Sequence, residues 1–202
     1  MALETMGTRR VFSNLSKALF TPWTTKEVSG VTIEVVGNRT YDLVDIVADT
    51  TSVEQADNEI NTIDHEFSSA PLFENVNLGE KTFTTECVDF QNIVLKELFG
   101  WEVTSAGDAF APVGYKDLYC KVELHFNSTD DILVLPKVKL NSRAVIASMK
   151  TDVSRANITG SCYPAKVTAG STTKLTDMAV ISAANKAYYL VAANDGTETA
   201  DF

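Results

Sequence analysis

The sequence contains few of the residues on which metal and redox chemistry depend. Among 202 residues there are two histidines, His65 and His125, and three cysteines, Cys87, Cys120 and Cys162. The cysteines are widely spaced, and an odd number without a CxxC pair or a Cys/His cluster does not suit a disulfide scaffold. We therefore interpret them as small buried hydrophobic residues in a reducing compartment, and we expect neither a metal nor a cofactor.

The chain also lacks a long apolar segment and an excess of basic residues. No apolar run approaches the ~20 residues that a membrane-spanning helix needs, so no membrane association is expected. Lysine and arginine total 17 against 27 acidic residues, giving a formal net charge of -10. This balance argues against a surface that binds nucleic-acid phosphates. Arg9 and Arg10 loosely match a twin-arginine export signal, but polar residues and Pro22 interrupt the apolar stretch that such a signal requires.

Motifs of the common enzyme classes are missing. The sequence has no GxxxxGK[ST] loop, no GxGxxG loop and no GxSxG elbow. Asp64, His65 and Glu66 are adjacent in sequence, so their side chains diverge, and we interpret them as a solvated polar patch. Scattered carboxylates leave an acid–base pair open, but an enzyme is the least favoured class.

Short alternating segments dominate what is present. Residues 31–36 alternate and are followed by a turn at Gly37, and residues 41–48 are rich in β-branched side chains. Residues 118–126 predict a strand with one apolar face and one polar face, the latter including a solvent-exposed His125. Residues 127–131 predict a turn that makes a hairpin, and Pro136 predicts a strand edge or a bulge.

A strand followed by a helix is predicted over residues 79–101. Residues 79–88 alternate as a strand, and Asp89 is placed as a helix N-cap. Apolar residues then follow at helical spacing as far as Phe99, and Gly100 is placed as the C-cap. The sequence thus predicts one helix over about residues 89–99.

The predicted fold class is mainly β: an antiparallel sandwich or partial barrel with that helix on its flank. We expect a single domain over residues 1–202. Its predicted extensions are an N-terminal arm or short helix at about 1–23, a polar loop at about 49–70, and an acidic C-terminal tail at about 194–202.

The passage from Gly79 to Trp101, GEKTFTTECVDFQNIVLKELFGW, resembles the strand–helix passage of the tail tube proteins of long-tailed bacteriophages. The resemblance implies a structural virion protein of the phage tail, assembled in the host cytoplasm. It implies rings of six identical subunits that stack into a tube, with loops and arms bridging the rings. The implied partners are other tail proteins (tape measure, terminator, baseplate or tip), and DNA would pass through the lumen without specific binding. An acidic lumen would repel phosphates and let DNA slide.

Interface roles are assigned to residues of the predicted arm and loop, which could equally be ordinary exposed segments. Trp101, which follows the helix cap, is expected to pack against the sheet, with anchoring of a neighbouring subunit as the alternative. The candidate oligomer-interface residues are Arg10, Phe12, Trp23, Glu54, Asp57, Glu59 and Trp101. Alternatives are another β-type virion protein (a capsid decoration protein, or a tail terminator or completion protein) and a carbohydrate-binding module.

Overall fold

The computed structural model describes residues 10–43, 45–64, 71–88, 90–114, 116–145 and 154–193. Within these residues the chain is mainly antiparallel β-sheet with one short helix, which confirms the predicted fold class. In chain order the elements are β1 (Leu15–Val28), β2 (Val31–Val36), β3 (Tyr41–Asp42), β4 (Ser52–Gln55), β5 (Glu59–Asp64), β6 (Pro71–Asn77), β7 (Lys81–Cys87), α1 (Asn92–Phe99), β8 (Glu102–Val103), β9 (Ala109–Phe110), β10 (Leu118–Phe126), β11 (Thr129–Val145), β12 (Arg155–Tyr163), β13 (Ala165–Ala169), β14 (Thr172–Thr176), β15 (Ala179–Ile181) and β16 (Leu190–Ala192).

A nine-stranded sheet forms the body of the molecule. Its strands follow the order β2-β1-β10-β11-β12-β7-β4, with β3 paired to β1 and β15 paired to β11. Among the described strands the sheet does not close on itself, so β2 and β4 stand at its two ends. Three smaller sheets accompany it: β14-β13-β16, β5-β6 and β8-β9.

The hairpin of β10 and β11 is the centre of the sheet, and it confirms the predicted strand and turn. Cys120, Val122 and Leu124 are buried on one face, as the alternation predicts. Cys120 pairs with Val138 but Val122 pairs with Leu135, so two residues of β11 stand opposite Lys121. This is a β-bulge at the position of Pro136, which supplies no N–H to a ladder. The prediction of a bulge is confirmed.

The main hydrophobic core lies between one face of this sheet and α1. Phe20 and Phe83 are fully buried and meet edge to face with ring centroids 6.0 Å apart. Helix α1 contributes Val94, Leu98 and Phe99 to the same cluster. Position 160 in β12 has room only for glycine. A Cβ there would lie 2.5 Å from Val138 Cγ1, which is too close for a real side chain.

The opposite face of the sheet is partly covered by the sheet β14-β13-β16. A second apolar cluster fills this space, formed by Ile132, Val134, Val167 and Ile181. Ile132 and Val134 precede the bulge in β11, whereas Val138 and Leu140 after it belong to the main core. Before the bulge the main core is contacted by the odd-numbered Leu133 and Leu135, so the bulge shifts the side-chain phase of β11 by one residue and keeps the strand in contact with that core.

The structure corrects three details of the sequence interpretation. Residues 15–23, assigned to an arm or short helix, belong to the long strand β1, which pairs with β10. The segment 49–70, assigned to a polar loop, contains strands β4 and β5. Helix α1 begins at Asn92 with Gln91 as N-cap, and the proposed cap Asp89 lies outside the described residues. Residues 1–9, 65–70 and 194–202 also lie outside them.

The C-cap of α1 gives the first testable prediction. Gly100 has φ 67° and ψ 21°, as predicted for a left-handed cap, and the Trp101 N–H donates to the Leu95 carbonyl over 3.0 Å. We expect Gly100→Ala to lower the free energy of unfolding by about 1–2 kcal/mol, because a Cβ is unfavourable in this conformation. Chemical denaturation measures it. Gly114→Ala is the matched control, since a Cβ there meets no atom within 4 Å, and an equal loss in both variants would contradict the explanation.

Candidate assembly surfaces

The outer side of β2 is one open edge of the main sheet. Ser29 and Gly30 have φ of 52° and 79°, and they form a tight turn between Val28 and Val31, which pair with each other. In such a hairpin the flanking pair is hydrogen bonded and alternate pairs are not. The Gly37 N–H donates to the Pro22 carbonyl over 2.8 Å, which agrees with this alternation. The main-chain groups of the intervening residues therefore point outwards; these are Thr32, Glu34 and Val36.

The outer side of β4 is the other open edge. The Ala56 N–H donates to the Glu80 carbonyl over 2.9 Å, so the alternation places the inward groups at Ser52 and Glu54. The main-chain N–H and C=O of Val53 and Gln55 then point away from β7. No described strand pairs with this side of β4. Unpaired edges of this kind are templates for pairing with another chain.

The hairpin β5-β6 extends from the same end of the sheet. Among the described strands, β5 and β6 pair only with each other, with Glu59 opposite Asn77 at the base. The segments that lead into β5 and out of β6 are in close contact at Gly79. A Cβ at this position would lie 1.8 Å from the Ala56 carbonyl oxygen. An isolated two-stranded hairpin is marginally stable in water, so packing against another surface would stabilise this one.

Two of the predicted interface residues contact the body of their own chain. The Arg10 Nε lies 2.7 Å from Asp131 Oδ2 in an ion pair. Phe12, which is 37% exposed, packs against Phe126 with ring centroids 5.2 Å apart. These contacts hold residues 10–12 beside the β10-β11 turn.

Both tryptophans are also engaged within the chain. The Trp23 Nε1–H donates to the Pro136 carbonyl over 3.0 Å. Lys137 lies over the Trp23 ring and the Tyr119 ring, with Nζ 5.1 Å and 4.6 Å from their centroids, and it also forms an ion pair with Glu34. Trp101 is half-buried against the main core.

The acidic candidates lie at the open edge and on its continuation. Glu54 is in β4, Asp57 follows that strand, and Glu59 begins β5; all three are exposed. The structure thus brings these three together at one end of the sheet, whereas Trp23 pairs with Val36 in the β1-β2 ladder at the other. Interface roles for all seven residues stay predictions. The outward main-chain groups of β2 and β4 were not found from sequence, because alternation identifies a strand but not its position in a sheet.

A buried polar cluster lies between the main sheet and the small sheet. Glu123 is 8% exposed, and its Oε1 lies 2.6 Å from Lys121 Nζ. His125 Nε2 lies 3.5 Å from the other carboxylate oxygen. The expectation that this face of β10 is solvated is therefore wrong for Glu123, because the small sheet covers it. His125 is half-buried rather than exposed.

Ionisation in this cluster follows from its contacts. Burial alone would raise the pKa of Glu123, but Lys121 and the neighbouring Tyr189 hydroxyl outweigh it and hold that pKa below its usual value. Burial, together with Glu123, raises the pKa of Tyr189. The cluster is thus a charged pair inside a layer, with its carboxylate kept ionised. Within the described residues no group of His, Cys, Asp and Glu side chains has a metal-binding arrangement.

The three cysteines are buried and none of them forms a disulfide, as the sequence predicts. Burial raises the pKa of the Cys162 thiol to about 12. Burial also raises the pKa of Cys120. Thiols with such pKa values stay protonated and are poor nucleophiles at neutral pH.

No helix in the described part of the chain has the length and apolar character needed to cross a bilayer.

Comparisons with known proteins assign this chain to no family. No protein-family model matches the sequence, and no curated protein matches it either. Among solved structures, a chain of the cryo-EM structure of the anti-feeding prophage (AFP) baseplate, 6-fold symmetrised, is similar to this one with a TM-score of 0.37 and 9% sequence identity. The similarity covers 88% of this chain and 99% of that chain.

Proposed function

We propose that this chain is a structural, non-enzymatic subunit of a phage tail tube, which assembles by joining the open edges of its main sheet to identical neighbours. The observation that carries the proposal is the pair of open edges, β2 and β4, at opposite ends of one sheet. The choice of a phage tail tube as the assembly rests on the resemblance of residues 79–101 to tail tube proteins.

The two edges differ in character, which favours a head-to-tail contact. Strand β2 has the sequence VTIEVV and β4 has the sequence SVEQ. Pairing β2 of one copy with the shorter β4 of the next would satisfy the outward groups of Val53 and Gln55 and part of those on β2. A contact between two different surfaces repeats around a rotation axis and closes into a ring, or continues as a filament. Six subunits in a ring, stacking of rings, contacts with other tail proteins and passage of DNA are the parts of the proposal that come from the resemblance.

A proline at an outward position of β2 tests the proposal. Thr32 is exposed, and its N–H points away from β1, so Thr32→Pro removes a donor at the open edge without breaking the β1-β2 ladder. We expect this variant to stay monomeric at concentrations at which the wild-type chain forms rings or tubes. Sedimentation velocity and negative-stain microscopy measure this.

The control is Thr32→Ala, which shortens the same side chain but keeps the N–H, and it should assemble as the wild type does. Both variants should unfold within about 1 kcal/mol of the wild type, since surface changes of this kind have small effects. A Thr32→Pro chain that folds and still forms normal rings would contradict pairing through β2. A wild-type chain that stays monomeric at every concentration would contradict self-assembly altogether and favour a decoration protein.

A further inference from the structure

A groove of about 990 Å³ opens at one end of the main sheet. Its apolar wall includes Leu15, Leu124, Phe126 and Leu133, which extend the main core to the surface. Its rim carries the acidic side chains of Asp42, Asp45 and Asp49, with Lys17 as the single cation among its lining residues. The groove is thus an apolar cleft with a negative rim.

The tip of the β1-β2 hairpin has the complementary character. Val28 stands directly opposite Val31, and Lys26 stands opposite Ile33. Residues that are opposite, or two apart on one strand, share a face, so these four side chains lie on one face of the hairpin. Val28 is 43% exposed and Val31 is 60% exposed. The tip is therefore an exposed apolar knob with Lys26 on the same face, while the exposed Glu27, paired with Thr32, lies on the opposite face of the hairpin.

The hairpin of a copy cannot fill its own groove. Leu15 lines the groove at the start of β1, and Val28 is the last residue of that strand. Strand β1 has 14 residues, and at about 3.3 Å per residue it separates the two features by roughly 45 Å. Each copy therefore presents the knob at one end of β1 and the groove at the other.

The charge of Lys26 on the hairpin is opposite to the charges on the rim of the groove. Lys26 is exposed and has no ion pair within the described residues. Asp42, Asp45 and Asp49 on the rim are also exposed, and they too have no ion pair within the described residues. An ammonium carried on an apolar tip into a cleft with three carboxylates gains attraction where water is partly excluded.

We propose that the hairpin tip around Val28 and Val31 of one copy inserts into the groove beside Leu15 and Phe126 of the next copy, with Lys26 against the acidic rim. This inference rests on the proposed self-assembly and adds a second contact to it, directed along β1 rather than across the sheet. The occupant of the groove is another copy of the same chain. Because knob and groove differ, the contact repeats in one direction and extends the assembly end to end.

Crosslinking between two single-cysteine variants tests the contact. Ala48 lines the groove and is exposed, and Val31 is on the knob. The native cysteines are buried, so introduced surface thiols react selectively. We expect assembled mixtures of Val31→Cys and Ala48→Cys chains to give covalent dimers with a short bis-maleimide, whereas each variant alone gives at least tenfold less. Wild-type chains mixed with either variant are the blank.

The outcomes separate this contact from the proposed function. A chain that assembles but gives no dimer in the mixture overturns the hairpin contact and leaves edge pairing intact. Dimers that appear only after residues 1–9 are deleted would assign the groove to the first residues of the chain and overturn the proposal for the intact protein. A wild-type chain that stays monomeric overturns both.

A charge cycle gives an independent readout. Lys26→Glu should raise the concentration needed for assembly at least tenfold, whereas Lys174→Glu, the same change at an exposed position of β14, should leave it unchanged. In a chain that also carries Asp45→Asn and Asp49→Asn, Lys26→Glu should raise the concentration needed for assembly by a much smaller factor. Asparagine suits these two positions because both have positive φ, 56° and 60°. Equal effects of Lys26→Glu in the two backgrounds would overturn the contact with the rim.

Discussion

Replacing Phe83 with alanine is expected to lower the free energy of unfolding by about 3–5 kcal/mol. Phe83 is fully buried in β7, and it contacts the Phe20 ring from across the core. Its neighbours in register are Gly160 on β12 and Val53 on β4. Gly160 has no side chain that could move into the space. The cavity would therefore persist, and the loss in the free energy of unfolding would not be reduced by repacking.

Phe110→Ala is the matched control for this variant. Phe110 is 58% exposed in β9, so the same chemical change should alter stability by about 0.5 kcal/mol or less. Urea denaturation followed by circular dichroism compares the two. Since β4 pairs only with β7 among the described strands, Phe83→Ala should also loosen the β4 edge and weaken assembly. A loss below about 1 kcal/mol for Phe83→Ala would contradict the description of this core.

Replacing Lys121 with methionine is expected to cost about 3–5 kcal/mol at neutral pH, because it leaves the Glu123 carboxylate buried without its partner. The two side chains are only 14% and 11% exposed. The double variant Lys121→Met with Glu123→Leu removes both charges and should recover most of the loss. Thermal and chemical unfolding of the three variants measures the difference. If the double variant were less stable than the single one, the pairing would not be the cause.

The pH dependence of this pair has a definite sign. The pKa of Glu123 is lowered in the folded chain, so the unfolded state binds the proton more readily. The stability that this group contributes is present above its unfolded pKa of about 4.3 and is lost as pH falls through its folded pKa. Without Lys121 the carboxyl should bind a proton more easily in the folded state. The difference in stability between wild type and Lys121→Met should therefore shrink below about pH 4.

Much of the centre of the fold could be predicted from local patterns. The strand Leu118–Phe126 was predicted with its bounds, because strict alternation over nine residues has no helical interpretation. Gly100 and the bulge at Pro136 were predicted because each residue has a backbone property that few positions accept. In all three cases the signal lies in the residues themselves.

Strand β1 was assigned to an arm or short helix, and its proline lies at a position where a strand tolerates one. Pro22 pairs with Cys120, and its carbonyl accepts the Gly37 N–H on the opposite side. The missing N–H of Pro22 faces that same side, where the partner of β1 changes from β3 to β2. A proline is tolerated at such a gap, but the gap depends on residues that are distant in sequence.

The candidate site was predictable only in outline. Alternation shows that one face of β10 is apolar, but it does not show what covers the other face, so the burial of Glu123 was not foreseen. Likewise, Glu54 was selected for its charge, whereas the unpaired groups of β4 belong to the main chain of Val53 and Gln55. Edge status is a property of the sheet as a whole, and a single strand does not encode it.

Strand β11 also bears on how the molecule unfolds. It gives Ile132 and Val134 to one apolar layer, whereas Leu133 and Leu135 on the other face of the same segment belong to the main core. Melting the small sheet therefore exposes one face of a segment whose other face holds the main core. The two layers are thermodynamically coupled through one 17-residue strand, so they should denature together in a single cooperative transition.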